Sequence, residues 1–154
     1  MKMKNSLKLV LFWAFFVMNC KNIPQKSSSI TEDQLFYYKT SECMGTCPVF
    51  TFTIFPDGSC TYQGVANVDN LGTFSGTINK EELSQFKSTL SESKFYDINI
   101  ESNSLVKDLP TTYLFYNDGN QQKTITYYDA SNKKVEGIIN QANGLIESIK
   151  WTKK

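Results

Sequence analysis

From residue 35 onward the apolar positions of this chain recur every second residue, and twice the period lengthens to that of a helix. Residues 35–39 form a short strand candidate, and residues 48–55 alternate, with Phe50, Phe52 and Ile54 on one face and Thr51 and Thr53 on the other. Pro56-Asp57-Gly58 combines a fixed φ with a residue tolerant of positive φ, so residues 59–65 are predicted to return antiparallel, with Cys60 and Tyr62 sharing a face. A further strand over residues 72–78 sets Phe74 and Ile78 against Thr73, Ser75 and Thr77.

The first helix is predicted over residues 80–91. Asn79 with Glu82 three residues later has the form of a capping box, Glu81 and Glu82 favour the positive end of the helix, and Leu83, Phe86 and Leu90 make one apolar stripe. Residues 101–107 are polar and irregular and predict a surface loop. A second round follows: strands over 111–117 and 123–128 around a turn at Asp118-Gly119-Asn120, then a helix in which Val135, Ile138, Ile139, Ala142, Ile146 and Ile149 line one side. Gly137 and Gly144 each weaken that helix by about 1 kcal/mol relative to alanine.

Strands then helix, twice over, predicts an α+β fold: one antiparallel sheet of five to six strands in the order ββ(β)α-ββα, with both helices on one face. The opposite face is expected to be partly exposed and lined by Thr, Tyr and Gln. Regular βαβ alternation is missing, which argues against a parallel, doubly wound sheet.

The first twenty residues follow another rule. Lys2, Lys4 and Lys8 precede an apolar run of about ten residues, the form of an export signal and too short for a span of about 20 residues. The run ends on Val17-Met18-Asn19-Cys20, which resembles the bacterial lipobox, although Asn19 stands where Gly, Ala or Ser is usual. The resemblance implies cleavage before Cys20 and lipidation of its sulfur. Residues 1–19 are thus expected to be the signal peptide, residues 20–33 a lipid-anchored tether containing Pro24 and Ser27-Ser28-Ser29, and residues 34–154 one globular domain. Lys21 is not the aspartate that retains some lipoproteins at the inner membrane, so the expected address is the bacterial cell envelope, at the outer membrane.

Charge and composition narrow the function classes. Without the leader lysines, thirteen lysines face fifteen acidic residues, about −2, with no arginine, which leaves no electrostatic footprint for nucleic acid. The chain has no histidine. Ser-His-Asp and Cys-His hydrolases, most zinc sites and most proton relays near neutral pH therefore cannot be built from it. The scattered carboxylates do not support paired acid-base catalysis. The expectation is a non-enzyme with no cofactor, anchored to the membrane by lipid and binding an envelope protein, a peptide or a glycan, or serving as a structural accessory.

Cys43-Met44-Gly45-Thr46-Cys47-Pro48 lies between two strand candidates. Three residues including Gly are a standard length for joining antiparallel strands, and directly opposed residues there have Cα atoms about 4.5 Å apart, at the short end of disulfide geometry. In an oxidising compartment the Cys43–Cys47 bond is expected to form and to pin the loop. The competing reading is thiol-disulfide exchange or copper handling, because Cys-x-x-x-Cys-Pro also resembles the copper loop of thioredoxin-fold metallochaperones. Those proteins run from the loop into a helix and add a histidine, whereas Cys47 leads into a strand. Free thiols are the third option. With Cys20 lipidated and Cys43 paired to Cys47, Cys60 is left over, and its strand position reads as a small buried apolar residue.

Asp57 and Asp118 read as turn residues, and no Asp-x-Asp array suggests calcium. Tyr37, Tyr38, Tyr113, Tyr116, Tyr127 and Tyr128 read as sheet-packing residues, and Tyr113, Tyr116 and Tyr127 mark where a partner-binding face would lie. Together, Cys43-Met-Gly-Thr-Cys-Pro-Val-Phe50, Thr53-Ile-Phe-Pro-Asp-Gly58, Thr61-Tyr-Gln-Gly64, Glu81-Glu82-Leu83, Phe95 and Asp108-Leu-Pro-Thr111 are similar to domain-of-unknown-function family 6438 of bacterial envelope proteins and lipoproteins. The likeness spans about residues 39–149, with Cys-x-Gly-x-Cys-Pro its most specific part and Cys60 replacing a usual aliphatic residue. It implies a small exported α+β domain and supplies no activity.

Overall fold

The computed structural model of the chain describes residues 31, 33–100, 109–128 and 132–154. The leader, Cys20, nearly all of the tether, the 101–107 stretch and Asp108 lie outside the described residues. The elements run β1 (Phe36–Thr40), β2 (Val49–Ile54), β3 (Ser59–Ala66), β4 (Gly72–Thr77), α1 (Lys80–Glu92), a 3-10 turn (Phe95–Asp97), β5 (Thr112–Asn117), β6 (Gln122–Tyr127), α2 (Lys133–Ser148) and β7 (Thr152–Lys153).

The α+β class holds, with one antiparallel sheet and two helices, but the sheet has seven strands rather than five or six, in the order β6-β5-β1-β2-β3-β4-β7. The extra strand is β7, two residues that pair Lys153 with Phe74 and Thr152 with Ser75. So short a piece carries no period of its own. The first strand joins the two halves: it pairs β2 on one side, Tyr38 opposite Phe52, and β5 on the other, Tyr38 opposite Leu114.

Pairing places Phe36, Tyr38, Phe52, Ile54, Tyr62 and Leu114 on one face. Phe86 and Leu90 of α1 and Val135, Ile138, Ala142 and Leu145 of α2 join them in one buried cluster. Phe36 meets Phe86 edge to face at 4.7 Å. The opposite face is partly exposed, as expected: outer positions such as Gln63, Thr73 and Thr124 are exposed, whereas its centre, Tyr37, Thr51, Thr53 and Phe115, is buried.

Local signals act as predicted. The capping box of α1 is formed, with the Glu82 N–H donating to Asn79 Oδ1 and the Asn79 N–H donating to Glu82 Oε2, each at 2.9 Å. Asn79→Ala is expected to cost about 1 kcal/mol, read as a lower urea midpoint at unchanged slope. Asp57 accepts from both the N–H and the hydroxyl of Ser59 ahead of β3, and Asp118 accepts from the N–H groups of Asn120 and Gln121. Gly58 (φ 85°) and Gly119 (φ 92°) supply the positive φ those turns require.

Candidate functional site

The 41–48 connection between β1 and β2 is longer than a three-residue hairpin loop, because Thr40 ends the ladder. Its hydroxyl donates to the Pro48 carbonyl at 2.7 Å and accepts the Phe50 N–H at 3.2 Å, and Pro48 has no N–H to continue pairing. Cys43 and Cys47 therefore sit inside the loop instead of opposite each other on strand ends, and their Cα atoms are 5.8 Å apart, not about 4.5 Å. They form a disulfide. The loop carries Met44 at its tip, 85% exposed. It is tied to β5 by the Ser41 N–H donating to the Thr111 carbonyl and the Thr111 N–H donating to the Ser41 hydroxyl.

A second loop meets the first. After β3, residues 67–71 fold back over Gly64, beginning with Asn67 in the left-handed region at φ 54°. The Asn67 side-chain amide donates to the Cys47 carbonyl at 3.0 Å. Between these loops and the C-terminal half of α2 lies a hollow of about 620 Å³, within the usual range of ligand sites. Phe50, Tyr62 and Trp151 form its aromatic wall, and Asn143 and Glu147 face it from α2.

Each wall group is held from behind. The Trp151 indole N–H donates to the Ile146 carbonyl at 2.8 Å, and the ring meets Phe52 edge to face. Phe50 stacks on Tyr62 at 5.6 Å. Burial pushes the Tyr38 phenol up to about 12, opposed by its hydrogen bond with Asn143. Burial, with Asp69 nearby, also raises Tyr62. The Tyr62 phenol in the lining and the Tyr38 phenol bonded to Asn143 are thus neutral, while the two lining carboxylates, Asp69 and Glu147, are exposed.

The tyrosines singled out in the sequence do not come together as a surface. Tyr116 and Tyr127 lie on the helix face and are buried in the core, with Tyr116 stacked on Tyr96 at 5.3 Å. Tyr113 lies on the other face, half-buried, with Lys39 Nζ 6.0 Å from its ring centre. Sequence reasoning missed Asn67, Asn143 and Trp151. Each is ordinary in its own segment, and nothing local announces that the loop after β3 meets the 143–151 stretch.

Cys60 is the free cysteine among the described residues; it is buried, with its thiol directed at the Gly58 carbonyl at 3.6 Å. Burial pushes this thiol up to about 12. Native protein is therefore expected to resist alkylation at Cys60 at neutral pH and to react fully once unfolded, as mass spectrometry would read. The folded state holds the Cys60 and Tyr38 protons more tightly than the unfolded chain does. Their contribution to stability is full below the ordinary 9.0 of the thiol and is lost as pH rises towards about 12, so the urea midpoint is expected to fall on that alkaline side.

Among the described residues no three Cys, Asp or Glu side chains converge as a metal cluster would require, and no helix is long and apolar enough to cross a membrane. The structure defines a class of small α+β domain: a single antiparallel sheet with two helices on one face and a disulfide-closed loop at the end of its central strands. Residues 34–146 match the profile described as Domain of unknown function (DUF6438), and the chain belongs to that family. No curated protein matches the chain.

Proposed function

We propose that this protein is a lipid-anchored module of the bacterial cell envelope, held at the outer membrane through Cys20, whose domain binds a protein, peptide or glycan partner without catalysing a reaction. The observation that carries the binding role is the hollow beside the Cys43–Cys47 loop, where aromatic rings and neutral amide and phenol groups converge. Recognition needs that mixture of apolar wall and oriented polar groups, whereas histidine-based catalysis has no residue to use. The leader, with its three lysines, short apolar run and terminal cysteine, supports the anchor.

Intact mass of the membrane-extracted protein tests the anchor. The expected species begins at Cys20 and carries acyl chains; after denaturation it takes one alkyl group without reduction, at Cys60, and three with it. A chain cut elsewhere, or one that keeps residues 1–19, would overturn the anchor. Turnover of any substrate that disappears with a single point substitution would overturn the non-catalytic reading.

A further inference from the structure

The hollow has features that select among ligands. Three kinds of group meet in it: aromatic rings, side-chain amides on separate elements, and exposed carboxylates. Among the described residues, no lysine or arginine lines it, so an anionic ligand would find no counter-charge there. The lining Asn143 amide, hydrogen-bonded to the Tyr38 hydroxyl, is neutral and can both donate and accept. That pairing matches hydroxyl groups, which also do both, better than an ammonium, which only donates and is best met by a buried carboxylate. Asp69 and Glu147 are exposed, where water screens them.

The aromatic wall completes the match. A pyranose ring has an apolar face of C–H bonds carrying partial positive charge, complementary to the negative face of an aromatic ring. Trp151 is half-buried and locked by its bond to Ile146, so little side-chain freedom remains to be lost on binding. Asn143, Ile146 and Glu147 follow i, i+3, i+4 spacing on α2 and so present one continuous edge to a ligand. The facing edge is the 67–71 loop, held in place by the Asn67 bond to the disulfide loop.

We propose that the hollow binds one neutral sugar residue of a glycan, stacked against Trp151, with the Asn143 and Asn70 amides meeting its hydroxyl groups. This rests on the binding role argued above and names its ligand class. The Cys43–Cys47 bond then acts at one remove: it shapes the loop whose Cys47 carbonyl positions Asn67, and with it the wall that carries Asn70.

The mature protein in detergent, titrated with oligomers of glucose, mannose, galactose and N-acetylglucosamine, tests this directly, with trilysine as the cationic comparison. Trp151 emission is the readout, since the other tryptophan, Trp13, lies in the leader. At least one oligosaccharide is expected to shift the emission saturably with a Kd at or below about 1 mM. Asn143→Ala is expected to weaken that binding at least about tenfold, alongside a urea midpoint lowered by the loss of the buried Tyr38 hydroxyl's partner. Should that variant fail to fold, Asn70→Ala on the exposed loop asks the same question. Asp69→Asn with Glu147→Gln is expected to leave sugar binding within about threefold. The proposal is overturned if no oligosaccharide shifts the emission up to about 10 mM, or if Asn143→Ala and Asn70→Ala both bind as the parent does. Trilysine binding that the double carboxylate variant abolishes would overturn it in favour of a cationic peptide. Each of these failures leaves the anchor standing, because the anchor is judged by mass alone.

Discussion

Replacing Phe52 by alanine is expected to lower the unfolding free energy by about 3–5 kcal/mol, the range for emptying the site of a fully buried aromatic ring. Phe52 lies on β2, the middle strand of the seven, and is fully buried. Its cross-strand partners are Tyr38 and Tyr62, and Trp151 closes over it edge to face at 6.1 Å. These neighbours belong to β1, β3 and the segment after α2. They are fixed by the sheet ladder on one side and by the Trp151–Ile146 bond on the other, so the space left by the ring cannot collapse. Urea unfolding should show a lower midpoint with the slope preserved; a loss below about 1 kcal/mol would mean that the surrounding rings refill the space.

Gly64→Ala is expected to cost about 1–3 kcal/mol, by crowding rather than by a void. A Cβ on Gly64 would lie 1.9 Å from the Asn70 carbonyl oxygen and 3.0 Å from its carbon. Both are backbone atoms, so no rotamer change relieves the clash and the whole 67–71 loop must lift. Lifting it moves Asn67 away from the Cys47 carbonyl and opens one wall of the hollow. The variant should therefore lose stability and ligand binding together. The same substitution at Gly137 has the opposite sign: nothing lies within 4 Å of its Cβ position, so alanine is expected to stabilise α2 by about 0.5–1 kcal/mol. Equal effects at the two sites would refute this account of Gly64.

Much of the architecture is local chemistry and is legible residue by residue. Alternation over residues 48–55 yields β2, Pro56-Asp57-Gly58 yields the turn into β3, and Asn79 with Glu82 yields the start of α1, because each depends on groups only a few residues apart. The odd spacing of Tyr113 and Tyr116 puts them on opposite faces, so the expectation that they share one partner-binding face conflicts with the strand period itself. What it leaves open is which face the helices cover. Tyr116 and Tyr127 are core residues because α1, α2 and the 3-10 turn pack on their side, and the chain's other aromatic residues would have satisfied the same pattern on either side.

By itself, then, the sequence determined six of the seven strands, the start of α1 and the turns, and it pointed to a Cys43–Cys47 disulfide while leaving redox use and free thiols open. All of these rest on interactions between near neighbours, whose geometry the backbone permits in only a few ways. Only the tertiary structure decided that β1 joins the two halves of the sheet, that the last residues add a seventh strand, and that Asn67, Asn143 and Trp151 surround one hollow. Those are contacts between segments 20 to more than 80 residues apart. Such contacts depend on the summed packing of the whole core, and no residue in the segments that meet encodes its distant partner.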